Sequence, residues 1–167
     1  MNSNLSPVDW AKRPILEKYA DFTGRAPRSE YWWYVLAMVI LYLIVMIVES
    51  IAGIGKMVFG IYGPITTLLV LATIVPNIAV GVRRLHDTNR SAWWLLLMVP
   101  YFISAILAVQ AMASNNLGGL GAAGLVSLVG LVCCIVYIVL MCLPGTAGEN
   151  RYGPNPLSDG GAILPAA

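Results

Sequence analysis

The chain has 167 residues, 59% of them hydrophobic and 11% charged, with a mean hydropathy of +0.78 and a net charge of +2. That length holds one compact membrane domain with two short tails and leaves no room for a separate soluble domain. The net charge is unremarkable, and no nucleic-acid partner is expected.

In chain order, Ser6-Pro7-Val8-Asp9 reads as a helix start. Ser6 can cap, Pro7 suits the first helical position, and Asp9 suits the positive end of the dipole. Val8, Trp10, Ile15, Leu16, Tyr19 and Phe22 then alternate with Lys12, Arg13, Glu17 and Lys18. The expectation is a short amphipathic helix on the inner membrane surface, which Pro14 interrupts; the alternative is a solvated tail. The first 30 residues lack the short apolar core and small-residue site of a cleavable signal peptide.

Four apolar runs follow, over 31–51, 63–82, 92–111 and 121–143. Each is about the 20 residues that a helix needs to cross a hydrocarbon layer about 30 Å thick. Backbone polar groups in hydrocarbon need internal partners, so the runs are expected as helices. The expected fold class is therefore all-α: a polytopic membrane protein with four transmembrane helices, preceded by the amphipathic interfacial helix. Its parts are an N-terminal segment 1–30, a membrane domain 31–143 and a C-terminal tail 144–167.

Ser29 is placed to cap the first run, with Glu30 in its first turn. Tyr31, Trp32, Trp33 and Tyr34 mark a membrane interface, and Trp93 and Trp94 mark it again. Arg28-Ser29-Glu30-Tyr31-Trp32-Trp33 is echoed by Arg90-Ser91-Ala92-Trp93-Trp94, which hints at two helical hairpins of one orientation. Pro76 and Pro100 should each kink a helix or free a carbonyl. In the fourth run Ala123, Ser127, Gly130 and Cys134 share a face suited to close helix packing. Cys133, Cys134 and Cys142 have no metal-type spacing and read as small apolar packing residues.

Nine of the ten Lys and Arg residues lie in 1–30, 83–91 and 144–167, and Lys56 alone lies on the other side. Basic residues in short loops stay in the cytoplasm, so both termini are expected there.

The most distinctive segment is Arg83-Arg84-Leu85-His86-Asp87-Thr88-Asn89-Arg90-Ser91, which holds the single histidine. It reads either as an anion or partner site or as a salt-bridged loop that fixes topology. Adjacency of His86 and Asp87 does not make a catalytic dyad, and no nucleophile is spaced to serve one. Glu49 is the single acid within the apolar runs and a candidate intramembrane group, with Lys56 near enough in sequence to pair with it.

Asp21-Phe22-x-Gly24-Arg25-Ala26-x-Arg28-Ser29-Glu30-Tyr31-Trp32 resembles the opening signature of the domain-of-unknown-function 805 family, the YhaH-like small bacterial inner-membrane proteins. Arg83-Arg84-Leu85-His86-Asp87-Thr88-x-Arg90-Ser91-x-Trp93-Trp94 is similar to its central signature. Gly145-Thr146-x-Gly148-x-Asn150-Arg151-Tyr152-Gly153-Pro154 is similar to its closing one. The resemblance implies a multi-span protein of the bacterial inner membrane and supplies no activity, substrate or catalytic residue. More than forty residues separate Pro100 from Gly145 here, enough for two full spans where shorter members have one apolar stretch.

All three signatures are expected at one membrane face. There Arg25, Arg28, Glu30, Arg83, Arg84, His86, Asp87, Arg90, Asn150 and Arg151 form a candidate polar network or anionic-lipid site. The expected role is non-enzymatic: structural, assembly or regulatory, through the cytoplasmic face. A small-solute or ion transporter and a membrane enzyme acting on lipid are the alternatives. No cofactor or metal is expected. The expected partners are membrane lipids, with anionic headgroups among them, and a protein or a second copy of the chain.

Overall fold

A computed structural model describes residues 5–54 and 63–157. Lys56, the 55–62 loop and the tail beyond 157 lie outside the described residues, and with them the expected Glu49–Lys56 pairing.

The described residues form five α-helices and one 3₁₀ segment, and no strand is found among them. Helix α1 spans Pro7–Leu16. Ser6 caps it, and Asp9 returns the bond to the Ser6 amide, so two orphan donors are satisfied reciprocally. Pro14 does not interrupt it. The proline sits in the last turn, where one lost backbone bond costs little, and its buried ring packs beside Trp10 one turn earlier. This face docks α1 chiefly on the flank of the second helix and less on the third.

Helix α2 spans Arg28–Ile51, and its N-cap is Pro27 rather than Ser29. Proline has no N–H to satisfy and its fixed φ enters the helix directly, so the start moves ahead of the serine. Helix α3 spans Pro64–Asp87 and runs through Pro76 without a break. The carbonyl that Pro76 cannot bond is that of Ala72, and the Tyr19 hydroxyl donates to it.

The third span is not α-helical throughout. A 3₁₀ segment over Ala92–Met98 leads into helix α4, Val99–Ala113. Pro100 cannot donate back along an α-helix, so the α ladder begins at its turn. At about 2.0 Å per residue in the 3₁₀ part and about 1.5 Å in the α part, the 22 residues still cross the hydrocarbon layer. The two echoed entries thus differ: Arg28 opens an α-helix and Arg90 precedes a 3₁₀ segment.

Helix α5 spans Leu117–Cys142, with Asn116 as its cap accepting from Gly119 at 3.0 Å. It starts four residues earlier than hydropathy suggests, because the glycines after Leu117 are accommodated within the helix. It packs closely on α4. A Cβ on Gly130 would lie 3.0 Å from the Tyr101 backbone nitrogen, so bulk there would push the helices apart. Ala123 and Gly130 are buried, but Ser127 faces outward. The contact line follows the seven-residue spacing and passes the serine by. All four long helices are apolar and mostly exposed on their outer faces, as expected of surfaces covered by lipid.

Candidate functional site

The N-terminal segment, the end of α3 and the segment after α5 meet at one end of the bundle. Arg84 and Asp87 stand one turn apart on α3, and the Arg84 guanidinium reaches the Asp87 carboxylate at 2.5 Å. Its Nε donates to the Met141 carbonyl at 3.1 Å and its Nη2 to the Leu143 carbonyl. Arg84 therefore satisfies carbonyls that the end of α5 leaves open, with a cation at the negative pole of that helix.

Arg25 closes on the same carboxylate from the N-terminal side. Its Nε meets Asp87 at 2.9 Å, and both residues are buried. Its remaining nitrogens donate to the carbonyls of Thr146 at 2.6 Å and Gly148 at 2.7 Å. One planar fork thus ties three distant segments together, which a lysine's single ammonium cannot do. Backbone bonds reinforce the tie: Ala26 donates to the Arg83 carbonyl and Thr146 to the Asp87 carbonyl, each at 2.9 Å. Gly145 is required by the approach, since a Cβ there would sit 2.1 Å from an Asp87 carboxylate oxygen. Gly24, at φ +73°, makes the preceding turn.

A second ion cluster lies under α1. Glu30, completely buried, pairs with Arg83 and with Arg13 of α1, the latter at 3.3 Å. Arg83 is also completely buried, and its Nε and Nη2 donate to nothing among the described residues. Arg13 was not marked out by sequence. Its signal was there, a cation one turn after Trp10 on the buried side of an amphipathic helix, but its partner lies seventeen residues on and depends on how α1 docks.

His86 stacks on Tyr152, with ring centroids 3.7 Å apart and planes 6° from parallel. Its Nδ1 lies 3.3 Å from the Gly24 carbonyl. Asn150 donates to the His86 carbonyl at 3.0 Å and to the Thr146 hydroxyl at 2.8 Å. The imidazole is a plate between two loops and, among the described residues, bonds no nucleophile. Tyr152, which holds it, was visible only as one member of the closing motif.

The outer residues are less bound. Arg28 is exposed and reaches the Cys142 carbonyl only at 3.5 Å. Arg90 is half-buried, with the Thr88 carbonyl at 3.4 Å. Arg151 is exposed, donates to the Asn89 carbonyl at 3.1 Å and lies over the Tyr152 ring. Glu149 is exposed and makes no ion pair among the described residues. Asp21 pairs with Lys18 at 3.2 Å rather than with an arginine. Partial burial pushes the Asp21 carboxyl up, but bonds from the Thr23 hydroxyl and amide and from Lys18 together outweigh it and bring the pKa down to about 2.

Glu49 is apart from this collar, at the opposite end. It is buried, and its carboxylate accepts from the amides of Ile65 at 2.5 Å and Thr66 at 3.2 Å and from the Thr66 hydroxyl at 2.5 Å. It caps the N-terminus of α3 from the neighbouring helix, anion against positive dipole end. Gly63 leaves room for it, because a Cβ there would meet the carboxylate at 2.5 Å. Among the described residues no cluster of three or more His, Cys, Asp or Glu side chains is arranged to hold a metal.

The model of the family described as protein of unknown function (DUF805) matches residues 19–154. The chain belongs to that family. Within DUF805 it is similar to inner membrane protein YhaH of Escherichia coli K12, 33% identical over 149 residues, covering 89% of this chain and 97% of that protein. It is equally similar to inner membrane protein YhaI of the same strain, 33% identical over 144 residues, covering 85% of this chain and 91% of that one. No solved structure matches the chain. The DUF805 match begins at Tyr19 and ends at Pro154, so it brackets the collar from the Ala72-bonded tyrosine to the turn that Arg25 grips.

Proposed function

We propose that this DUF805 protein is a non-enzymatic component of the bacterial inner membrane, with both termini cytoplasmic and a cytoplasmic face that serves assembly or regulation. The observation that carries the reading is the closed state of the collar. Arg25 and Arg84 spend their donors on Asp87 and on backbone carbonyls, so they hold helices together rather than await a substrate. His86 lies flat on Tyr152 with its Nδ1 beside the Gly24 carbonyl, a packed position that supports a structural role over the enzyme reading. Within the spans Tyr34 bonds Asn77 and Tyr42 bonds Thr73, isolated pairs rather than a continuous polar path for ions, which weighs against the transporter reading.

Among the described residues the exposed cations are Lys12, Arg28 and Arg151, with Arg13, Lys18 and Arg90 half-buried. These, and not buried Arg83 and Arg84, are the ones that would meet anionic headgroups. Each is worth about 1 kcal/mol near an anionic surface, screened by salt. Purification in native lipid, with identification of the lipids and proteins retained, tests the reading. A stoichiometric protein partner supports it. Solute flux through the protein in sealed vesicles overturns it.

A further inference from the structure

The helix pairs α2–α3 and α4–α5 meet chiefly near the collar. There Leu95 and the Tyr137 hydroxyl pack on Gly81, where a Cβ would lie 3.3 and 3.2 Å from them. Farther into the span the pairs leave two adjoining cavities of about 620 and 470 Å³, both bordered by Asn77, Ile78 and Phe102. Volumes of that order are typical of small-ligand sites. Tyr42 and Met46 line one cavity, and Tyr34 and Tyr137 the other.

Asn77 is the feature that apolar packing does not explain. It is exposed to this groove, thirteen residues from Pro64 and ten from Asp87 along α3. At about 1.5 Å per residue it lies about 15 Å from the collar, near mid-span. One end of its amide takes the Tyr34 hydroxyl at 2.6 Å. The other end has no partner among the described residues. Because the Tyr34 hydroxyl donates to Oδ1, it is the Nδ2 amide hydrogens that face a hydrophobic groove where water is excluded and an acceptor is strongly favoured.

We propose that the groove binds a bilayer-soluble ring compound bearing carbonyl acceptors, the chemistry of a quinone. Phospholipid ester carbonyls lie at the headgroup level, and only their methylene chains reach the depth of Asn77, so phospholipid cannot accept its N–H. A flat carbonyl-bearing ring can accept it, and Phe102, Tyr34 and Tyr42 offer aromatic faces and edges to such a ring. The assignment concerns binding alone and is independent of the collar.

The test uses the full chain, purified in detergent, and titrates decylubiquinone against decylbenzene, which has a ring of similar reach and no carbonyl. Native mass spectrometry reads retained ligand. Decylubiquinone should bind one per chain, at least about tenfold tighter than decylbenzene. Asn77→Leu should weaken decylubiquinone about tenfold and leave decylbenzene unchanged. Phe102→Trp narrows the groove without touching the Asn77–Tyr34 pair, and should weaken both ligands, so the proposal does not hang on one variant folding. Equal binding of the two ligands, indifference of decylubiquinone to both substitutions in folded protein, or a cross-link from a cysteine at 102 to a second copy in place of ligand binding overturns it. None of these outcomes decides whether a protein partner is retained on purification or a solute crosses sealed vesicles, so failure here leaves the assembly reading to its own test.

Discussion

Two adjacent buried arginines make very different use of their guanidinium groups. Arg84 donates from three nitrogens, to Asp87, Met141 and Leu143. Arg83 donates from one, to Glu30. Lysine keeps the charge and loses the fork, so Arg84→Lys should cost about 2 kcal/mol more than Arg83→Lys, which thermal unfolding in detergent would resolve. Equal losses would mean that charge alone matters at both sites. Glycines in the closing motif separate as sharply. Gly145→Ala drives a methyl into the Asp87 carboxylate, whereas a Cβ on Gly148 meets nothing within 4 Å. The first should lower folded yield several-fold, and the second should be within about 0.5 kcal/mol of neutral. Asp21 supplies a pH effect. Its folded pKa lies near 2, below the ordinary 3.8, so its contribution is complete above that ordinary value and is lost as pH falls toward 2. Asp21→Asn should flatten the stability profile in that window and change nothing in its slope at neutral pH.

Glu49 shows what one side chain does for a whole element. It gives α3 a cap from another helix, so Glu49→Leu should strand the Ile65 and Thr66 amides and cost about 2 kcal/mol. Glu49→Gln keeps an acceptor, loses the charge–dipole attraction, and should cost about half as much, by the same unfolding measurement. Sequence pointed to Glu49 as a costly acid and to Lys56 as its neighbour, but the cap depends on how the chain returns after Ile51, which local pattern does not encode. The same limit applies at Pro27, where a serine two residues later looked like the better cap. It applies again at Ala92–Met98, where hydropathy is blind to the difference between 3₁₀ and α. Span number and approximate position were readable because twenty apolar residues have one low-energy solution in hydrocarbon. The concentration of arginines in three segments pointed to Arg25 and Arg84, but it did not mark Arg13, and it did not separate those two from the loosely held Arg28 and Arg90. The pairing within the collar was not readable, since Arg25, Arg84 and Asp87 find one another only across spans.

At the scale of the molecule, the arginine-bearing segments share one end of the bundle, and the orientation proposed above makes that end cytoplasmic. A cysteine placed at 116, in protein without the native cysteines, should label only from the periplasmic side; labelling from the cytoplasm alone would reverse it. The collar also joins residues that leave the ribosome at very different times. Arg25 is made early, yet its acceptors at Thr146, Gly148 and Gly153 are made only after the fourth span. All four spans can be inserted before those carbonyls exist. A chain ended before Gly145 would carry every transmembrane helix and all the acceptors of Arg84, yet leave Arg25 with Asp87 and without the carbonyls of Thr146, Gly148 and Gly153. Arrival of the closing motif, rather than insertion of the spans, is therefore the event that completes the bonds of Arg25.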